Sequence, residues 1–230
     1  MWNIIASSTP QLVKAGIEET IPLALISFII GLIIATITAL VLISKKRGLF
    51  LIIKAIFSFY VWLFRSTPML VQLFITYFGL PYLTIPGIFP NGIKMAPFTA
   101  GIIVFSLNTG AYCSETIRSS ILSIPRGQWE AAYSLGMTKP QVLKKIIFPQ
   151  ALRISVPPLS NSFISNVKGT SLAASITITE TFEVSQQIAA RNYQPLLMYT
   201  LVAALYAIVC SILTIIQKYL EKTSSKYITK

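Results

Sequence analysis

Long stretches of this sequence contain no Asp, Glu, Lys or Arg: residues 20–44, 66–93, 95–114, 154–167 and 192–217. Crossing a hydrocarbon core of about 30 Å takes roughly 20 apolar residues at about 1.5 Å of rise each, and several of these runs reach that length. Their apolar residues are continuous, without the two-residue alternation of a membrane strand. A water-soluble domain carries roughly 25% charged residues. This chain carries 11%, against 54% hydrophobic. It reads as an all-α integral membrane protein of about five transmembrane helices, in one domain over 1–230.

The net charge of +12 suggests nucleic acid until the positions are considered. Of 19 Lys and Arg residues, 15 fall in 45–65, in 118–153 or from 218 onward; only Lys14, Lys94, Lys168 and Arg191 lie elsewhere. Basic residues mark cytoplasmic loops, so the charge reports topology and contact with membrane lipid, with no nucleic-acid partner. Spans at about 20–44, 60–80, 96–115, 154–178 and 193–217 satisfy all three clusters with the amino end outside and the carboxyl end in the cytoplasm. Residues 1–19 read as a short amphipathic helix in the interface. The Pro- and Gly-rich segment from Pro81 to Pro97 reads as one external loop, and 180–194 as a second. Lys45-Lys46-Arg47 is the basic stop after the first span. With two cysteines, both in predicted spans, and no histidine, neither a disulfide framework nor a metal site is implied. No catalytic constellation is present.

One polar, basic segment interrupts the apolar runs: EAAYSLGMTKPQVLKKIIFP, residues 130–149. Residues 127–135 favour helix, Gly136 is a natural C-terminal stop, and Thr138 can cap a second helix over about 139–147 with Pro140 in its first turn. The pair forms a helix-turn-helix outside the bilayer, with an apolar face available to a partner. The alternative for such a segment is a basic amphipathic loop resting on anionic lipid.

The spacing of Glu130-Ala131-Ala132, Gly136, Ile146 and Pro149 resembles the EAA loop of the membrane subunits of bacterial ABC importers. FRSTPMLVQLFITYFGLP, NTGAYCSETIRSSILSIPRGQWEAA and NVKGTSLAASI extend the resemblance over about residues 16–220. They resemble the polar amino-acid branch, the histidine/glutamine/arginine/opine type with cystine importers included. Departures from the pattern are Ser66 for Gly, Gly169 for Asp or Asn, and Phe148 for Leu.

The resemblance implies a type I importer permease fold with a cytoplasmic coupling loop at about 116–153, in a bacterial inner membrane. It implies cytosolic ATPase subunits that bind ATP and Mg, a second permease protomer (a copy or a sister subunit) and an extracytoplasmic solute-binding protein. This chain holds no G-x-x-x-x-G-K-[ST] loop and so is not itself the ATPase; no cofactor of its own is expected. Arginine, histidine, glutamine and cystine remain open as the substrate, with cystine retained as a candidate.

Charged and polar groups at membrane depth face a cavity or a partner. Asn108, Lys168, Thr170 and Ser171 are therefore candidates for the substrate path. Against this stand snorkelling of Lys168 to the headgroups and interhelical hydrogen bonding by the uncharged groups. Glu180 reads as an interfacial charge, and Glu115 as a partner of Arg65 or Arg118. An ion-coupled secondary transporter is the competing class, but it would tend to show an inverted repeat and buried carboxylates.

Overall fold

The computed structural model describes residues 2–44 and 48–225. Lys45-Lys46-Arg47 and the last residues of the basic tail, 226–230, lie outside the described residues. Among the described residues the chain is helical, with one isolated β-bridge, between Ile85 and Phe89.

Helix α1 (Trp2–Ala15) passes through a π-helical turn, Gly16–Thr20, into α2 (Ile21–Ile43). The three form one element of 42 residues, about 63 Å at 1.5 Å per residue. The expected separate interfacial helix is thus corrected. Leu12 of α1 is fully buried and packs with Ile188, Ala189, Met198 and Val202, so the apolar face of this segment meets protein.

α3 (Phe50–Ser66) and α4 (Met69–Phe74, prolonged by turns to Tyr82) meet at a 110° bend. A straight span over 60–80 is therefore not what forms. Thr67 is extended before Pro68, because the proline ring disfavours helical geometry in the residue before it. Gln72 then donates to the carbonyls of Phe64 and Thr67 (3.0 and 3.1 Å), replacing ladder bonds that the break removes.

α5 (Pro97–Leu122) lies at the centre, packed closely on α2. Gly31, Ala35 and Ala39 put a small residue on one face of α2 at every fourth position, which lets two backbones approach. A Cβ at Gly31 would sit 2.8 Å from the Thr109 side chain of α5. α6 (Arg126–Ser134) and α7 (Lys139–Val142) follow, and α7 continues through a π-helical turn, Leu143–Ile147, into α8 (Phe148–Gly169). A 3-10 segment, Thr170–Ile176, leads to α9 (Thr181–Asn192) and α10 (Pro195–Ser225). The polar stretch 180–194, expected to be a loop, is thus mostly helix. Its apolar side packs inward through Ile188 and Ala189.

By length and hydropathy, Trp2–Ile43 and Pro195–Lys222 qualify as spans, with the bent pair α3 and α4 as a third. α5 and α8 are long enough but carry polar groups that they spend on each other and on α2. The Asn166 side chain donates to the Ala24 carbonyl (3.1 Å) and to Ser27 Oγ (3.2 Å), and Thr109 makes a longer 3.4 Å contact to Asn166 Oδ1. Interhelical bonding is what these groups do. Outward-facing Ile29, Ile33 and Ile37 on α2 and Ile208, Ile212 and Ile215 on α10 are exposed on the chain, as a lipid-facing surface requires.

Candidate coupling loop and translocation face

α6 ends in a Schellman turn. Gly136 has φ +75°, its N–H donates to the Tyr133 carbonyl (2.9 Å), and Met137 N–H donates to the Ala132 carbonyl (3.2 Å). Left-handed backbone of this kind favours glycine. The next helix starts at Thr138, whose N–H donates to the Gln141 side-chain oxygen (2.8 Å). Both halves of the expected helix-turn-helix form, but the second does not stop at 147. It runs on through Ile146 and Pro149 into α8, so a push on the loop acts directly on a span.

The loop's apolar face is already occupied. Ala132, Val142 and Ile147 are buried in one cluster with Ala35 and Ala39 of α2 and Cys113, Ile117 and Ile121 of α5, with Trp129, Met137 and Ile146 packed against it. The expected free apolar face is therefore spent on the chain's own spans. What remains exposed is a mixed face: Glu130, Ala131, Tyr133, Leu135, Gly136 and Pro149. The Leu135 side chain is 82% exposed at the turn. Of the sequence-predicted set, Glu130, Ala131 and Gly136 lie on this outer face, Ala132 anchors the inner one and Ile146 is half-buried between them.

The four path candidates do not converge. Asn108 is half-buried on α5 and donates to Gln72 Oε1 (3.1 Å), bracing the α3–α4 bend. Thr170 is fully buried, donates to the Val167 carbonyl (2.7 Å) and lies 3.3 Å from Tyr206 Oη. Ser171 is half-buried and donates to the Lys168 carbonyl (3.0 Å). Lys168 is exposed on α8. At Gly169 an added Cβ would lie 3.1 Å from Met69 Cε, the end of a flexible side chain that can give way.

Lys168 shares its exposed face of α8 with Asn161 and Ser165, spaced four and three residues apart on one helical stripe. Exposing a polar stripe of a membrane helix to lipid is costly. The 161, 165, 168 spacing is visible in the sequence, where Lys168 alone of the three is singled out. Asn161 Oδ1 accepts from Gln217 of α10 (3.1 Å), which sets one end of the stripe. Towards the carboxyl end of α5, Glu115 pairs with Arg118 (2.7 Å) and the Arg65 guanidinium lies 5.6 Å from the centre of the Tyr112 ring. Glu115, Arg65 and Tyr112, with Trp62 and Ser66, border an open hollow of about 540 Å³.

Comparison with known proteins matches residues 31–226 to the family model described as binding-protein-dependent transport system inner membrane component. The chain is 45% identical over 230 residues to the L-cystine transport system permease protein TcyB of Bacillus subtilis (strain 168), covering 100% of this chain and 93% of that protein. It is 38% identical over 226 residues to the probable amino-acid ABC transporter permease protein YckA of the same organism, covering 98% and 94%. The crystal structure of an amino acid ABC transporter with histidines superposes with a TM-score of 0.84 at 29% identity, covering 95% of this chain and 96% of that one.

Proposed function

Since the chain belongs to the binding-protein-dependent transport system inner membrane components, the permease subunits of ABC importers, we propose that it carries a polar amino acid, L-cystine. The observation that supports the substrate is the 45% identity to an L-cystine permease over the whole chain. The path runs between this chain and a second protomer, a copy or a sister subunit. The Asn161, Ser165 and Lys168 stripe faces that path, with Ser171 beside it. Hydroxyl and amide groups there replace water around a zwitterion, and the Lys168 ammonium pairs with a substrate carboxylate. Asn108 and Thr170 act one layer behind, through the bend and through Tyr206.

The outer face of 127–149 docks on a cytosolic ATPase subunit, which binds ATP and Mg. Because the loop's inner face is packed on α2 and α5 and its second helix is continuous with α8, ATPase closure moves three spans as a body. The amino end lies outside, where an extracytoplasmic solute-binding protein delivers the amino acid, and the carboxyl end is cytoplasmic.

The test is uptake into proteoliposomes holding the purified complex, ATP and the solute-binding protein. ATP-dependent accumulation of labelled L-cystine, resisting excess arginine or glutamine, is expected. Accumulation of arginine or glutamine in place of cystine would refute the substrate.

A further inference from the structure

Glu180 is the one acidic side chain in the fully buried set of the described residues, and neither described ion pair involves it. Burying a carboxylate without a cation is costly unless hydrogen bonds meet it. Two do. Oε1 accepts the Glu183 N–H (2.8 Å), capping α9, and Oε2 accepts the Tyr206 hydroxyl of α10 (2.9 Å). Tyr206 Oη also lies 3.3 Å from Thr170 Oγ1, in the 3-10 segment. The neighbouring Thr181 donates its N–H to Thr20 Oγ1 (3.2 Å), and the two hydroxyls lie 3.0 Å apart. Four elements meet at one largely buried joint: the π turn before α2, the 3-10 segment after α8, α9 and α10.

The backbone between Thr170 and Glu180 is an independent sign that this joint stores a defined geometry. The 3-10 segment Thr170–Ile176 runs for 7 residues, longer than this geometry usually persists. It closes on Thr177 at φ +66°, left-handed backbone that a β-branched residue adopts only when its surroundings impose it. One end of this strained segment carries Ser171 and Lys168, and the other is the cap of α9.

We propose that Glu180 and Tyr206 form a latch that makes α9 and the path-facing turn at 168–171 move together. Glu180 is a positioning residue. It touches no substrate, and transmits displacement of α9 to groups that do. The proposal rests on the importer reading and on the outward placement of α9, where the solute-binding protein arrives.

The experiment uses the reconstituted complex with its ATPase, its solute-binding protein and L-cystine. ATPase turnover is read with and without the loaded binding protein for Tyr206→Phe, Glu180→Ala and Glu180→Gln. Phenylalanine keeps the ring packing and removes only the hydroxyl. Loss of one hydrogen bond to a charged group corresponds to about a tenfold effect, so Tyr206→Phe should lose about that factor in stimulation and Glu180→Ala, which removes both bonds, at least as much, while basal turnover and complex yield hold. Glu180→Gln should keep most of the stimulation, because its oxygen still caps α9 and the Tyr206 hydroxyl can turn to accept from its amide. Undiminished stimulation in Tyr206→Phe overturns the latch. So does a fall in basal turnover and yield that matches the fall in stimulation, which is the mark of a purely structural role. If the unsubstituted complex itself shows no stimulation, the importer reading fails and takes the latch with it.

Discussion

Replacing Gly136 separates backbone cost from steric cost, because a Cβ built there meets nothing within 4 Å. The penalty is then conformational alone. Left-handed backbone costs an L-residue roughly 1–2 kcal/mol, Asn least and a β-branched residue most. Gly136→Asn should be close to neutral, Gly136→Ala should cost about 1 kcal/mol, and Gly136→Val about 2 kcal/mol. If valine leaves φ +75°, the turn also loses the bonds from Gly136 to Tyr133 and from Met137 to Ala132, each worth about 1 kcal/mol. A penalty near 2 kcal/mol is a factor of about 30 in the population of the docked turn. The assay is ATPase stimulation and amino-acid uptake in the reconstituted complex across the three variants, with complex yield as control. The expected order is Asn, Ala, Val, from least to most damaging. Asparagine as harmful as valine would show that the partner rejects any side chain at this exposed position, and the backbone reasoning would be wrong.

Glu130→Ala should leave yield and thermal stability within about 0.5 kcal/mol, as for an ordinary surface change, while lowering uptake severalfold. A proportional loss of yield would make Glu130 structural. Gly31→Val places its Cβ against Thr109 at 2.8 Å and should cost about 1–3 kcal/mol by overpacking, seen as a lowered melting temperature; unchanged melting would contradict the close α2–α5 packing. Lys168→Met should reduce uptake without reducing assembly, and normal uptake would make Lys168 a snorkelling surface charge. In intact cells an impermeant thiol reagent should label Asn91→Cys and spare Lys144→Cys; the reverse pattern would invert the topology.

The parts of this molecule legible in its sequence are those specified within a few residues. Gly136 and the Thr138 and Pro140 pair are turn and cap chemistry, and they placed the helix-turn-helix. The expected span over 60–80 ran through Pro68, and the 110° bend there depends on Gln72 and on Asn108, 36 residues further on. α9 was missed because its composition is polar while its inward face, Ile188 and Ala189, is short. Glu180 was misjudged because the groups that enclose it are distant in sequence. Its burial depends on Tyr206, 26 residues away, and on the Thr20 contact beside it, 161 residues away in sequence. The path candidates divided along similar lines. Residue type located polar groups at membrane depth, but which side of α8 they occupy decides whether they meet the path, and Thr170 points to Tyr206 instead.

The central claim is that the outer face of 127–149 engages the ATPase that drives transport. A photo-reactive phenylalanine analogue at Leu135, 82% exposed, tests it against the same analogue at Tyr82, 86% exposed and external in the proposed topology. Illumination of native membranes should join position 135 to the ATPase subunit, with a yield that changes when ATP is added, and should leave position 82 unjoined to it. No ATPase adduct at 135, or equal adducts at both positions, would contradict the account.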